Sequence, residues 1–330
     1  MKILIYGAGV LGSYAAYELN RVGHEVTILA RGGRYKEIKE KGLVISHWLQ
    51  RKITVDKIKV VKELLPNDYY DVTFIVMQAL QVEAVLPVIS ENISCPLFVF
   101  VGNEDKAKEI SDKVKNTSES KPRVIFGFFS IGGRREGGKV ISVHTKHPDF
   151  DIGDLEGKDD YKPIIEKIFK KSRFKIHYHM NMEDFFKTHI VFIMPLAYLA
   201  YMSNCDLREV SKNRQALNAV IDAIIEGCDV LVKLGYKIDP ERSINFVKKH
   251  RSLVYLGLKI CAATPLGRLA ISDHCKSAWR EMEYLDKALL ELTKKSNLIT
   301  PNINKLRKHL INYINKNNND YIVKREGTYK

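Results

Sequence analysis

The sequence has few cysteines, and none stands in a pattern that builds a disulfide framework or a zinc site. The five cysteines are an odd number at wide spacings, and no Cys-x-x-Cys pair occurs. This usage is typical of reduced thiols in the cytoplasm. His177 and His179 lie two residues apart, but no third ligand stands near them, so we expect no metal site.

No long apolar run occurs in the sequence, and we expect no leader segment. The run Ile190–Met202 is shorter than the roughly 20 residues that span a bilayer, so it predicts a buried helix. The residues Lys2–Tyr6 have the character of a strand and not of a charged and then apolar leader. We therefore expect a cytoplasmic protein with no membrane association.

Acidic residues are fewer than basic ones, 39 against 53, which gives a formal net charge of +14. The lysines are spread along the chain and no nucleic-acid motif is present, so we expect no nucleic-acid partner. A basic surface also suits an enzyme whose cofactor and substrate are both anions, because it steers them inward.

The most informative motif follows the apolar run at the start of the chain. It reads Gly7-Ala8-Gly9-Val10-Leu11-Gly12 and leads into residues with helical spacing. Between a strand and a helix, such a loop binds a dinucleotide. We expect Gly7 to permit the tight turn, Gly9 to let a pyrophosphate approach the backbone, and Gly12 to let the helix pack close to the strand. The N–H groups at the helix start then attract the phosphates.

The second predicted strand, Glu25–Leu29, lacks the carboxylate that grips the ribose 2′-hydroxyl in NAD-binding versions of this unit. Three cations follow it instead. Arg31 is well placed to meet a 2′-phosphate, since a planar guanidinium matches that charge with paired hydrogen bonds. Arg34 or Lys36 could help. The sequence therefore predicts NADP(H) over NAD(H).

The organisation of the chain predicts a Rossmann-type parallel-sheet domain over residues 1–180 and an all-α substrate domain over residues 181–330. The predicted parallel strands are Lys2–Tyr6, Glu25–Leu29, Val72–Met77, Leu97–Val101 and Val124–Phe126. An antiparallel addition to that sheet is predicted at Lys139–Val143, Phe150–Ile152 and Phe174–Tyr178, with a helix over Asp159–Lys170. The predicted later helices are Met182–Met202, Arg214–Leu234, Pro240–Lys248, Asp273–Lys294 and Thr300–Asn315, before a polar, loose tail from Lys316. Ser272-Asp273 is a plausible cap for the fourth of these helices.

Several segments together resemble the ketopantoate reductase (2-dehydropantoate 2-reductase) family. Besides the glycine loop they are Val26–Arg31 with Gly42-Leu43 beyond it, Gly137–Val140, Asp151–Asp154, Met182–Lys187 and Arg280–Met282. The resemblance implies reduction of a 2-oxo acid to a 2-hydroxy acid with NADPH, in pantothenate biosynthesis. It also implies that Lys187 protonates the developing alkoxide and that Glu281 helps to hold the substrate. A homodimer through the helical half is plausible.

Some positions depart from the family's pattern. The family's two asparagines, four and eight residues beyond the lysine, fall on Val191 and Pro195, although a one-residue gap would instead match Met194-Pro195-Leu196 to its Asn-Pro-Leu. The family's cofactor-side lysine is Gln78 here, and Asn103 is the approximate equivalent of its asparagine after the fourth strand. A partly apolar substrate site is expected.

Two histidines could replace the missing amides. His189 stands two residues after Lys187. His274 lies seven residues before Glu281, and Ser277 between them would complete a polar stripe on one helix face. Three functions stay open: a ketopantoate reductase, a reductase of a more apolar carbonyl or imine acceptor, and a protein that senses NADP(H) without turnover.

Overall fold

The computed structural model describes the backbone of residues 1–326, with the side chains of these residues other than 266, 270 and 318–326. The chain divides into two compact units, Met1–Glu183 and Asp184–Lys330. All five cysteines are free thiols.

The first unit contains strands and helices in alternation. Its strands are β1 (Lys2–Tyr6), β2 (Glu25–Leu29), β3 (Leu43–His47), β4 (Lys52–Asp56), β5 (Lys59–Val61), β6 (Val72–Val76), β7 (Leu97–Val101), β8 (Arg123–Phe129), β9 (Gly132–Glu136), β10 (Lys139–Val143), β11 (Asp149–Gly153) and β12 (Lys175–His179). Its helices are α1 (Val10–Arg21), α2 (Gly32–Lys41), α3 (Ala79–Val82), α4 (Leu86–Glu91), α5 (Ala107–Thr117) and α6 (Lys162–Phe169).

The main sheet has eight strands in the order β12-β11-β8-β7-β6-β1-β2-β5. The six strands from β8 to β5 are parallel, so the predicted α/β class is confirmed. Strands β6 and β7 are buried along their whole length, because helices cover both faces of a parallel sheet. Strand order reverses between β1 and β6, and ligands bind at the carboxyl ends of the strands at such a point.

The predicted antiparallel addition is only partly right. Strand β11 runs antiparallel to β8, but β12 runs parallel to β11, because α6 carries the chain back to the starting edge. The two histidines of β12 each lie against an aspartate of β11. Nε2 of His177 is 2.8 Å from Oδ1 of Asp149, and Nε2 of His179 is 2.9 Å from Oδ1 of Asp151.

Strand β10 was expected in the main sheet and lies in a second one, so that prediction is wrong. The second sheet has the order β4-β3-β10-β9. A two-residue turn at Gly137 and Gly138, both with positive φ, joins β9 to β10 in a hairpin. Strand β10 then pairs in parallel with β3, a contact about a hundred residues away in sequence that no local pattern reveals.

The second unit is built from helices only, over the residues that the structure describes. They are α7 (Met182–Met202, which begins in the last residues of the first unit), α8 (Leu207–Val210), α9 (Arg214–Lys233), α10 (Glu241–Lys249), α11 (Arg251–Ala263), α12 (Pro265–Gly267), a π-helical turn (Arg268–Ser272), α13 (Asp273–Ser277), α14 (Trp279–Ser296) and α15 (Pro301–Glu326). By length and composition α7 could cross a membrane, but 72% of its apolar window is buried, as in a core helix.

Three predictions for this half are corrected. The single helix predicted over Asp273–Lys294 is interrupted at Ala278, whose φ of −118° and ψ of 33° are not helical. Ser272 has helical dihedrals and makes no capping bond, because a π-helical turn leads directly into α13. Helix α15 continues beyond the predicted end at Asn315 to Glu326. Helix α11 was not predicted.

The start of α15 meets a half-buried acceptor from another helix. The carboxylate of Glu226, on α9, accepts hydrogen bonds from the backbone N–H groups of Asn302 and Ile303 at 2.9 to 3.1 Å. These N–H groups have no partner inside the helix, so the carboxylate both satisfies them and complements the helix dipole.

Candidate active site

The glycine loop joins β1 to α1, and its three glycines have different surroundings. Gly7 has a φ of +128°, and a methyl group there would lie 2.1 Å from the carbonyl oxygen of Val76. A methyl group on Gly12 would lie 2.0 Å from the carbonyl oxygen of Gly7. Gly9, the N-cap residue directly before α1, has no atom within 4 Å of the same position. The loop therefore packs tightly beneath Gly7 and Gly12 and is open at Gly9, where a phosphate would approach the helix start.

The predicted cofactor residues follow neighbouring strands of the main sheet. The loop follows β1, Arg31 follows β2, Gln78 follows β6 and Asn103 follows β7 shortly beyond its end. These four strands are adjacent and parallel, so the residues lie along one edge of the sheet. Gln78 is half-buried at the start of α3, and Asn103 is buried. Ala8, Val10 and Leu11 complete the loop.

Arg31 lies at the carboxyl end of β2, on the tyrosine that ends β1. Its guanidinium donates a hydrogen bond to the Tyr6 hydroxyl, and its central carbon lies 5.7 Å from the centre of that ring. Tyr6 thus holds an exposed cation beside the open loop. Sequence reasoning missed Tyr6, although an aromatic residue directly before the glycine loop was a visible signal.

Arg34 has a different environment from the one expected. Arg34 is 7% exposed, and its guanidinium donates to the Ala8 carbonyl at 3.2 Å, the Ser13 hydroxyl at 3.3 Å and the Gly138 carbonyl at 3.0 Å. It also pairs with Glu37 at 3.1 Å. Burial lowers the pKa of Arg34. The side chain supports the glycine loop from below and is engaged with protein acceptors, whereas Lys36 is exposed.

The predicted catalytic lysine lies in the second turn of α7. Lys187 is 8% exposed, with Phe186 and Ile190 beside it in the buried part of the helix. The neighbouring Thr188 hydroxyl accepts a hydrogen bond from the Asp239 N–H at 3.0 Å, which fixes this turn. His189 is half-buried and its ring stacks on Phe185 at 6.1 Å.

Lys187 and His189 do not share a face of the helix. Successive residues are rotated by about 100°, so residues two apart point in nearly opposite directions. One substrate atom would not meet both side chains while α7 keeps this geometry.

Glu281 and His274 are brought together, but not as a helical stripe. Glu281 is 4% exposed in the first turn of α14, and its Oε2 lies 3.7 Å from Nε2 of His274. Because the chain leaves the helix at Ala278, the expected face of His274, Ser277 and Glu281 does not form. The Ser277 hydroxyl is exposed and donates to the Asp273 carbonyl of its own helix at 2.8 Å.

The two positions of the family's asparagines are in the core. Val191 is fully buried, and a methyl group on Gly227 of α9 would lie 2.7 Å from its Cβ. Pro195 lies inside α7 and cannot donate to the Val191 carbonyl one turn earlier. In this register the side chain of Val191 packs on α9.

Comparison with known proteins gives a consistent result. The sequence profile of the ketopantoate reductase PanE/ApbA family matches residues 3–157. A 2-dehydropantoate 2-reductase of Archaeoglobus fulgidus is 31% identical over 253 residues, which cover 74% of this chain and 79% of that protein. The chain belongs to the ketopantoate reductase family. It is therefore an oxidoreductase, from a family of NAD(P)-dependent 2-oxo acid reductases.

Other similar proteins match over most of the chain. The 2-dehydropantoate 2-reductase of Aquifex aeolicus is 26% identical over 318 residues, 91% of this chain and 93% of that protein. The ternary structure of D-mandelate dehydrogenase with NADH and anilino(oxo)acetate superposes with a TM-score of 0.73 at 20% identity, covering 94% of this chain and 97% of that one. This second likeness supports the fold of a parallel sheet followed by helices.

Proposed function

We propose that the chain reduces a 2-oxo acid to the 2-hydroxy acid with NADPH, and that 2-dehydropantoate, giving pantoate for pantothenate biosynthesis, is the first substrate to test. The observation that carries the cofactor choice is Arg31. It is an exposed guanidinium beside the open glycine loop, at the position where NAD-specific members of this fold carry a carboxylate. The five free thiols suit the reducing cytoplasm, where we expect the enzyme.

The residues of the first unit fit a dinucleotide. The space above Gly9 admits the pyrophosphate, the start of α1 complements its charge, and Arg31 pairs with the 2′-phosphate. Gln78 and Asn103 would lie beside the nicotinamide, at the far end of the same sheet edge from Arg31. When bound, the dinucleotide supplies the hydride that reduces the ketone carbon.

In this proposal, residues of the second unit donate the proton and hold the substrate. We assign Lys187 as the general acid: its ammonium stabilises the alkoxide oxygen that develops as the ketone is reduced, and then transfers a proton to it. Glu281 would hold the substrate, and His274, at 3.7 Å, is placed to orient that carboxylate. His189 is the alternative proton donor, for the case in which the family's catalytic lysine does not correspond to Lys187.

A more apolar acceptor is the second candidate. Val191 and Pro195 replace the amides with which the family holds a hydroxylated substrate, and each lost hydrogen bond is worth roughly 1 kcal/mol. The D-mandelate dehydrogenase with a similar fold was solved with anilino(oxo)acetate, an oxoacetate that carries an aromatic ring. An aromatic or branched 2-oxo acid therefore belongs beside ketopantoate in any test.

The test is turnover of NADPH with a panel of 2-oxo acids, followed by the loss of nicotinamide absorbance. Turnover of ketopantoate supports the first candidate, and faster turnover of an aromatic 2-oxo acid supports the second. Binding of NADPH without turnover of any acceptor would contradict a reductase and favour a sensor. With NADPH and the acceptor that is turned over, Lys187→Ala should lower kcat by about 100-fold or more and leave the affinity for NADPH unchanged. A loss in His189→Ala with full activity in Lys187→Ala would reverse the assignment.

A further inference from the structure

Strand β4 forms one edge of the second sheet and has an apolar outer face. The sheet order places β3 on one side of β4, and the described residues put no strand on its other side. Ile53 and Val55 point to the same face and are 62% and 64% exposed. Trp48 and Leu49, in the loop that joins β3 to β4, are also exposed. An edge strand with unpaired backbone groups and branched side chains is a template for pairing with another strand.

The five residues of β4 are complementary to themselves when read in the opposite direction. Antiparallel pairing centred on Thr54 places Ile53 opposite Val55 of the second copy, and Lys52 opposite Asp56. Each match occurs twice. Branched apolar pairs and opposite charges are both favourable cross-strand pairs. Moving the register by two residues loses this match, because Lys52 or Asp56 then faces Thr54.

Asp56 offers a second, independent indication. Its Oδ2 is buried and has no hydrogen-bond partner among the described residues. A buried carboxylate oxygen without a donor is costly, and native structures normally satisfy such atoms. In the register centred on Thr54, the ammonium of Lys52 from the second copy lies directly across from this carboxylate.

We propose that β4 pairs antiparallel with β4 of a second copy of this chain, forming a continuous eight-stranded sheet across a two-fold axis. Both copies use the same strand, so the pairing is isologous, as a closed two-fold dimer requires. It satisfies the open backbone edge, sets Ile53 beside Val55 of the second copy, and places a cation opposite Asp56. Two short strands make a small interface, so we expect a reversible dimer whose population rises with concentration.

This dimer differs from the one expected through the helical half, and a matched pair of substitutions separates the two. Sedimentation of the full chain should give twice the 37.8 kDa mass of one chain at high concentration. Val55→Lys should shift the population to the monomer. Val232→Lys, at an equally exposed position (61%) on α9, should leave the dimer unchanged. A wild-type protein that stays monomeric, or a dimer that survives Val55→Lys, would overturn the proposal.

Charge exchange tests the register itself. Lys52→Glu alone puts two carboxylates opposite each other, and Asp56→Lys alone puts two ammonium groups opposite each other, so each variant should be monomeric. Mixing the two variants restores both pairs in a heterodimer, which should sediment at twice the chain mass. Circular dichroism of each variant confirms that it is folded. If the folded variants stay monomeric when mixed, or dimerise separately, the register is wrong.

Discussion

At the scale of single residues, the site depends on what each glycine and arginine of the cofactor region touches. Sequence assigns three glycines to one motif and offers Arg31 and Arg34 for one phosphate. The structure separates them: Gly9 and Arg31 border open space, whereas Gly12 and Arg34 are packed into the support of the loop. Substitutions in the two groups should therefore fail in different ways.

The glycines give the clearest contrast. Gly12→Ala would force a methyl group to 2.0 Å from the Gly7 carbonyl, so we expect a loss of about 2 kcal/mol or more in the free energy of unfolding, along with cofactor binding. Gly9→Ala meets no atom in the protein and should unfold at the wild-type denaturant concentration. It should nevertheless weaken dinucleotide binding by about tenfold or more, because the methyl group occupies the phosphate's approach. Equal destabilisation by both substitutions would contradict this difference.

At the scale of elements, a buried ion pair ties three helices of the second unit together. Asp286 on α14 accepts two-pronged hydrogen bonds from Arg307 on α15 at 2.8 to 2.9 Å, and one from the Tyr198 hydroxyl on α7 at 2.7 Å. Both the aspartate and the tyrosine are buried, and the carboxylate charge raises the pKa of Tyr198 in addition to burial.

Removing the shared carboxylate should be costly because it leaves a guanidinium and a hydroxyl without their acceptor. We expect Asp286→Ala to lower the free energy of unfolding by about 3 kcal/mol, measured by denaturant unfolding. Lys287→Ala removes an exposed pair with Glu283 on the same helix and should cost about 0.5 kcal/mol or less. A similar small cost for both would mean that the three-helix link does not stabilise the unit.

A pair of buried histidines joins β3 to β10 beneath α1. The Nδ1 atom of His144 faces the Thr145 carbonyl at 2.7 Å and must donate, so its Nε2 accepts from Nδ1 of His47 at 3.1 Å. The Nε2 atom of His47 lies 3.1 Å from the Thr54 hydroxyl, so this ring also has a polar partner at its second nitrogen. With Nδ1 donating and Nε2 accepting, the His144 ring is neutral in this chain of bonds. Burial, with the neighbouring ring's charge, lowers the pKa of His47 to about 4, and burial lowers that of His144.

The sign of the pH dependence follows directly. Between pH 6.5 and about 4 the unfolded chain binds a proton at His47 that the folded chain does not, so stability falls as the pH falls through this range. The loss approaches about 3 kcal/mol at pH 4 for this residue. His47→Gln should flatten the stability curve over this range, whereas His147→Gln, at an exposed position, should not. Curves of the same slope in wild type and His47→Gln would refute the assignment.

At the scale of the whole molecule, the order of a parallel sheet and then helices could be predicted because it depends on local patterns. Apolar runs such as Leu97–Val101 and the long helical stretch Met182–Met202 carry their own signals. The second sheet could not be predicted in the same way. Its central pairing joins β3 to β10 across nearly a hundred residues, and β4 exposes its branched side chains.

The candidate site divides along similar lines. The glycine loop and Arg31 follow the ends of strands β1 and β2, and local apolar runs predict where these strands end. The polar stripe of His274, Ser277 and Glu281 failed because the amphipathic pattern continues across Ala278 while the backbone does not. The role of Arg34 depends on Gly138, which a distant hairpin turn brings to it. Local spacing contains neither piece of information.

The most direct test of the account is calorimetric titration of the protein with NADPH and with NADH. Wild type should bind NADPH more tightly, and Arg31→Ala should weaken NADPH at least about tenfold, or about 1.4 kcal/mol, while leaving NADH unchanged. Lys36→Ala, which removes a neighbouring exposed cation, should alter neither affinity. Absence of uptake of both nucleotides, or an NADPH preference that survives Arg31→Ala, would contradict the central claim that this loop and arginine hold the cofactor.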